Sequence, residues 1–194
     1  MNFRLQHKVV RNCYYTIRKI ARIKNLLDHE HLCTLVCSLI FSQLDYCNAL
    51  YYGINSESLK KLQSVQNCAA RLVNKGGMGA HLTDNTFIEL HWLKIRERVH
   101  FKILLTVHKS LLHRAPPALC NMMTYSGSER TLKLNETRSQ SAYGDRAFSH
   151  CGPKLWNLLG PSIREEVNTD MFKKRLKSFL LTQGEQFFRK ICEH

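Results

Sequence analysis

Acidic residues are scarce in this sequence. Of its 194 residues, 15 are Asp or Glu and 29 are Lys or Arg, which gives a net charge of +14 at pH 7. Such an excess attracts polyanions, because binding to phosphate groups releases the counterions condensed on them. We therefore expect a nucleic-acid partner. An acidic protein or a membrane surface are the alternatives that the charge alone leaves open.

Long apolar runs are also absent. The most apolar stretch, residues 32–52, is interrupted by Ser, Thr, Gln, Asp and Asn, whereas a membrane-spanning helix needs roughly 18 or more consecutive apolar residues. No apolar run follows the basic N-terminal residues, as it would in an export signal. We therefore predict no membrane partner and a location in the nucleus or the cytoplasm, where the eight cysteines stay reduced.

The sequence lacks the motifs of nucleotide chemistry. Two-metal nucleotidyl transfer needs paired carboxylates, but the five aspartates are spread along the chain and none adjoins another. The glycine-rich residues 76–79 have neither the spacing nor the flanking strand of a phosphate-binding loop. We therefore expect no enzymatic activity from this chain and no cofactor.

Three residues are candidates for metal ligands. His29, Cys33 and Cys37 follow one another at a spacing of four, which places them on one side of a helix. A structural zinc site needs a second ligand pair, and none follows with clear spacing. Isolated cysteines usually behave as small buried apolar residues. We therefore predict no metal site.

Strand-like alternation is missing as well, and a helical periodicity takes its place. Apolar residues recur at helical spacing over 8–27, 30–52, 57–73, 94–113 and 170–182. Asn55 is suited to cap the third of these helices, and Asn168 or Thr169 the last. Short helical turns are expected at 145–149 and 153–159, with Pro153 in a first turn. The predicted fold is all-α: an irregular helical bundle with one long extended loop and no substantial sheet.

Glycine-rich and polar segments divide the predicted helices into two groups. Residues 74–85 contain three glycines, whose ordering is entropically unfavourable, and are predicted to form a linker. An N-terminal subdomain of three helices then covers residues 1–73. A C-terminal helical subdomain covers residues 86–182, includes the predicted loop at 124–142, and is followed by a tail at 183–194.

Three groups of cations are candidates for contacts with phosphate. The first predicted helix places its cations opposite the apolar face, with Tyr15 among them to stack on a base; these cations are Lys8, Arg11, Arg18, Lys19 and Arg22. All charged side chains on this face are positive, whereas a helix face that only contacts water normally carries both positive and negative side chains. The other groups are Arg98, Lys102 and Lys109 on the fourth helix, and Lys173, Lys174 and Lys177 on the last. The alternative for each group is the solvated side of a packed helix.

Several blocks of sequence occur in an order that is specific in combination. They are NCYYTIRKIARIKNLL (12–27), SLIFSQLDYCNALYYGI (38–54), KKLQSVQNCAARLV (60–73), ELHWLKIRERVHFKILLTVHKSL (89–111), YGDRAFSHCGPKLWNLL (143–159) and DMFKKRLKSFL (170–180). Across residues 7–182, the chain resembles the region that follows the polymerase core in LINE-type, non-LTR retrotransposon reverse transcriptases. The chicken-repeat-like and jockey-like clades are the most similar.

The resemblance implies a helical region that grips nucleic acid during target-primed reverse transcription. Residues 1–73 would be a thumb-like unit, the favoured partner would be RNA or an RNA–DNA hybrid, and the polymerase core would be missing. The parent protein would be an RNA-directed DNA polymerase, but its Tyr-Ala-Asp-Asp signature does not occur here. Two other interpretations stay open: a helical protein-interaction module, and a truncated polymerase piece with no independent function.

Overall fold

The computed structural model describes residues 3–74, 82–127, 132–137, 141 and 144–193. Among the residues that it describes, 74% are helical and 1% lie in a strand, so the all-α prediction is confirmed. The chain divides into two compact units, Met1–Arg98 and Val99–His194.

The first unit begins with α1 (Phe3–Ile23), which is amphipathic. Cys13, Ile17 and Ile20 are buried at helical spacing, and through this face α1 packs against α4 (Ser56–Val73). The side chain of Asn55 caps α4, because its Oδ1 accepts a hydrogen bond of 2.9 Å from the backbone N–H of Ser58. This cap was predicted from the sequence.

The second predicted helix, 30–52, is broken into shorter elements. α2 (His29–Val36) is followed by a π-helical turn (Cys37–Phe41), by α3 (Ser42–Asp45) and by a 3-10 turn (Asn48–Tyr51). The Asn48 side chain donates to the Asp45 carboxylate over 3.1 Å, which links α3 to the 3-10 turn. Cys47 adopts a left-handed conformation (φ 52°). The helix predicted over 30–52 therefore continues only to Asp45, with the π-helical turn inside it, and the prediction was wrong beyond that residue.

A short helix, α5 (Asp84–Glu89), and the start of α6 (Ile95–Leu111) complete the first unit. The fully buried Gln66 on α4 donates through Nε2 to the carbonyl of Leu93 over 2.7 Å. Its neighbour Gln63 accepts from the backbone N–H of Ile95 over 3.0 Å. These bonds hold residues 93–95 against α4.

The division between the two units differs from the predicted one. The predicted linker, 74–85, lies within the range of the first unit, and its residues 75–81 are outside the described part of the chain. Residues 86–98, which the sequence analysis placed in a C-terminal subdomain, belong to the first unit. The edge-to-face contact of Phe41 and Trp92, with ring centroids 4.5 Å apart, shows the physical reason. Burial of these rings against each other favours one shared core.

In its described residues, the second unit contains the rest of α6 and four further helices. They are α7 (Pro117–Cys120), α8 (Phe148–Asn157), α9 (Pro161–Arg164) and α10 (Thr169–Glu193). A 3-10 turn (Gly144–Arg146) precedes α8. The core of this unit is built around Trp156 and Phe172, both almost fully buried. Pro153 lies inside α8 instead of in a first turn, because the helix begins earlier than predicted.

The last helix extends much further than predicted. Asn168 caps α10, since its Oδ1 accepts from the backbone N–H of Met171 over 3.2 Å. The helix then continues through the predicted tail, 183–194, to Glu193. Gly184, Phe187 and Ile191 are buried at spacings of three and four, so the apolar stripe of α10 persists to its end.

The predicted loop at 124–142 contains one antiparallel bridge in its described residues, between Tyr125 and Leu134. Leu134 is buried. The side chain of Asn157 on α8 bonds both backbone groups of Leu134, accepting from its N–H over 2.8 Å and donating to its carbonyl over 2.9 Å. The loop is therefore attached to the core of the second unit.

Candidate nucleic-acid interface

The cations predicted on the first helix are exposed on one face of α1. The burial of Cys13, Ile17 and Ile20 fixes the orientation of the helix. The opposite face presents exposed Lys8, Arg11, Tyr15, Arg18, Lys19 and Arg22. The structure thus brings together every residue of the first predicted group.

These α1 cations have no acidic partner among the described residues. Each of the five is exposed, and the ion pairs that the described side chains form lie elsewhere in the chain. A phosphate group approaching this face would not have to displace a carboxylate. We call this set, together with Tyr15, the α1 basic face.

Tyr15 is the aromatic member of the α1 basic face and is 59% exposed. The ammonium of Lys19 lies over its ring, 4.5 Å from the centroid. A cation in this position is attracted to the ring electrons. A base that stacks on Tyr15 from this side must first displace Lys19.

His7 extends the α1 basic face toward the N-terminus and was missed by the sequence analysis. It lines a surface depression with Lys8, Val10 and Arg11. The signal for it was present in the sequence, because His7 precedes Arg11 by four residues and therefore lies on the same side of the helix.

Arg98 is not exposed in the way that the sequence analysis expected. Its Nε donates to Oδ1 of Asp45 over 2.8 Å, and its Nη2 donates to the other carboxylate oxygen. The guanidinium also lies over the ring of Phe41, 4.5 Å from the centroid. Only 17% of the Arg98 side chain is exposed. Arg98 therefore holds the first residues of α6 to α3 within the first unit and is not presented to a phosphate backbone.

The remaining predicted cations belong to the second unit and differ in their surroundings. Lys102 is exposed and Lys109 is half-buried on α6. On α10, Lys173 pairs with Asp170 over 2.9 Å, and this pair lowers the pKa of the Asp170 carboxyl. Lys174 and Lys177 are exposed. The described residues of this unit thus offer fewer unpaired cations per helix than α1 does.

Three of the described cysteines are poorly suited to nucleophilic chemistry. Burial raises the pKa of the Cys13 thiol to about 11 and that of Cys151 to about 12, whereas the reactive form is the thiolate. The Sγ of Cys33 lies 3.6 Å from Nε2 of His29. Burial and the nearby Cys37 raise the pKa of Cys33 as well. Within the described ranges, no three potential ligands gather around one point.

Two further findings concern the chain as a whole. Of the helices that the structure describes, none is both long enough and apolar enough to cross a lipid bilayer. No protein-family model, curated protein or solved structure matches this chain.

Proposed function

We propose that this protein binds nucleic acid without catalysis, through contacts of the α1 basic face with the phosphate backbone. In this proposal the chain derives from the region that follows the polymerase core of a LINE-type reverse transcriptase. Its preferred partner is then RNA or an RNA–DNA hybrid. The sequence blocks at 12–27, 38–54 and 143–159 support the origin, and the α1 basic face supports the activity.

The observation that carries the proposal is the absence of an acidic partner for the five α1 cations among the described residues. An existing ion pair must be broken before a phosphate can take the place of the carboxylate, and Arg98 and Lys173 both have such a pair. On α1 no described pair has to be broken. Neutralising phosphates there releases counterions, which favours binding at low salt.

The geometry favours backbone contact over recognition of bases. The α1 basic face has a single exposed aromatic ring, and Lys19 lies over it. Proteins that bind single strands by stacking usually present several aromatic rings along a basic groove. Backbone contacts position a protein on nucleic acid without reading its sequence. We therefore expect a preference for the form of the nucleic acid, with little preference for its sequence.

Fluorescence anisotropy with structured RNA, an RNA–DNA hybrid and duplex DNA tests the proposal. Five phosphate contacts give a slope of about −4.5 for log K against log salt on duplex DNA, which is a loss of roughly 500-fold between ~50 and ~200 mM salt. The Arg18→Gln/Arg22→Gln variant removes two of these contacts and should reduce the slope by about 2.

The matched control is a Lys60→Gln/Lys133→Gln variant, which removes the same number of charges. Both lysines are exposed and lie outside the α1 basic face. This variant should keep the wild-type slope. The proposal fails if no nucleic acid binds at ~50 mM salt, or if the control loses as much affinity as the α1 variant.

A second candidate function, contact with another protein, is favoured by exposed apolar side chains near α3. Tyr46 is 73% exposed and Leu50 is 64% exposed, and exposed apolar surface often marks an interaction site. Sedimentation velocity at several concentrations tests for self-association through this surface. If a Tyr46→Ser/Leu50→Ser variant abolishes association while the α1 variant leaves nucleic-acid binding unchanged, protein contact is the better account.

A further inference from the structure

The second unit contains a cavity of about 100 Å³ that the proposed function does not use. It lies beside the end of α6, and α8 and α9 contribute to its wall. Leu111, Trp156 and Val167 form part of its apolar lining, while Arg164 and His108 contribute polar side chains. The volume is smaller than the roughly 150 Å³ cavity that accommodates benzene in another protein. It therefore suits a ligand with a short aliphatic body.

Arg164 is the unusual residue of this cavity. Only 8% of the surface of Arg164 is exposed to solvent. The Nε and Nη1 atoms of its guanidinium have no hydrogen-bond partner among the described residues. Burial lowers the pKa of Arg164, partly offset by the charge of Glu165, but a guanidinium stays protonated in proteins. Buried charged donors without an acceptor are unfavourable, so Arg164 has unused capacity to bind an oxyanion.

His108 complements Arg164 because it has an unused acceptor. Its Nε2 lies 2.7 Å from the backbone carbonyl of Glu166, which can only accept, so Nε2 carries the proton. The ring stacks on Phe172 with centroids 4.0 Å apart. Burial lowers the pKa of His108 below its ordinary value, so the ring is neutral near pH 7. Its buried Nδ1 then has a lone pair and no described donor.

The two side chains together define the chemistry of a ligand. Arg164 requires an acceptor with negative charge, and His108 Nδ1 requires an O–H or N–H donor. Glu165 and Glu166 also belong to the residues around the cavity, and their negative charges disfavour a doubly charged phosphate more than a singly charged carboxylate. We propose that this cavity binds a small 2-hydroxycarboxylate, whose carboxylate accepts from Arg164, whose hydroxyl donates to His108, and whose aliphatic body contacts Trp156 and Leu111.

Protein atoms cover the unpartnered nitrogens of both residues, so a ligand reaches them only after side chains move. The guanidinium of Arg164 rotates toward the cavity, and the side chains that cover His108 Nδ1 shift away from it. Arginine has a long, flexible side chain, so this rotation does not require movement of α9. Bidentate binding of a carboxylate is the geometry that a guanidinium favours. This step distinguishes the proposed site from a rigid, preformed one.

The test uses the full chain and 2-hydroxy-3-methylbutanoate as the probe. At ten times its Kd, the probe should raise the melting temperature by about 3–6 °C, and it should shift the ring signals of His108 in NMR spectra. The matched probes are 3-methylbutanoate, which lacks the hydroxyl, and 2-hydroxy-3-methylbutanamide, which lacks the charge. Each should bind at least tenfold more weakly.

An Arg164→Lys variant should lose most of the affinity, because a lysine keeps the charge but cannot bind a carboxylate with two parallel hydrogen bonds. If this variant does not fold, the His108 signals of the wild-type chain decide the matter. Unchanged His108 signals at millimolar probe, or a matched probe that binds as tightly as 2-hydroxy-3-methylbutanoate, would overturn the proposal. Neither result depends on nucleic-acid binding.

Discussion

Arg98 and Asp45 lie 53 residues apart in the sequence, and the guanidinium of one bonds both carboxylate oxygens of the other. The same guanidinium lies over the Phe41 ring. The pair therefore joins the start of α6 to α3 inside the first unit. A residue predicted to bind phosphate serves instead as a link between helices.

This role predicts that Arg98→Leu lowers stability without weakening nucleic-acid binding. The free energy of unfolding should fall by about 1–2 kcal/mol, since one partner of a charge-assisted pair is lost. This loss is smaller than that expected for a fully buried ion pair, because 40% of the Asp45 side chain is exposed to solvent. Urea denaturation measures the loss. Lys102→Leu, an exposed cation on the same helix, is the control and should change stability by less than about 0.5 kcal/mol. A weaker affinity for RNA in Arg98→Leu, at unchanged fold, would contradict this assignment.

Tyr15 gives a prediction about single strands. Because Lys19 lies over one face of the Tyr15 ring, a base that stacks on that face must first displace this ammonium, which reduces what the ring adds to binding. Tyr15→Ala should therefore weaken binding of single-stranded RNA by less than the roughly 1–3 kcal/mol typical of a stacking aromatic residue. Anisotropy titrations with Tyr15→Phe as the control measure the difference. A loss of that full size in Tyr15→Ala alone would show that stacking contributes directly.

The end of α10 is predicted to stabilise the second unit. Phe187 is buried and contacts the rings of His100 and Phe179 edge to face, with centroids 5.9 and 5.5 Å away. Phe187→Ala should lower the free energy of unfolding by about 3–5 kcal/mol. The neighbouring Gln186 is exposed, and Gln186→Ala should be nearly neutral. Thermal and urea unfolding compare the two variants, and equal stabilities would show that this end of the helix is not packed.

His108 predicts how stability depends on pH. Its pKa is lowered in the folded state, mainly by burial, whereas a histidine in the unfolded chain has its ordinary pKa of about 6.5. Below that pH the unfolded state binds a proton that the folded state does not. Stability should therefore fall as the pH drops below about 6.5, and it should not change through this group above that pH.

Urea denaturation between pH 7.5 and pH 5 measures this effect. Because the other histidines also titrate, the comparison is with His108→Gln, whose side chain cannot be protonated. The variant should lose less stability than the wild type over this range. If both lose the same amount, His108 is not the group responsible.

Much of the secondary structure follows from local sequence. The helical spacing of apolar residues predicted α1, α4 and α6 within a few residues, and it did so because each of these helices buries one continuous face. Asn55 and Asn168 were identified as caps because their side chains bond backbone groups only two or three residues away. The α1 basic face was also predicted from the sequence, since the positions of its cations depend only on the spacing of residues within one helix.

Other features depended on residues distant in sequence. The end of the second helix at Asp45 was not predicted, because the apolar pattern of 30–52 is equally compatible with one helix and with several shorter elements. The continuation of α10 past Thr182 was missed although Phe187 and Ile191 keep its spacing. Gly184 falls in that stripe, and only its burial shows that the helix is packed there.

The sequence by itself determined that this protein is helical, strongly basic, and provided with a face of cations on its first helix. Only the tertiary structure decided which cations are paired, where the first unit ends, and that Arg164 and His108 line one cavity. The reason is physical: helix formation and capping depend on neighbours within about four residues, whereas the partners of Arg98 and His108 lie 53 and 58 residues away. No local spacing specifies such pairs.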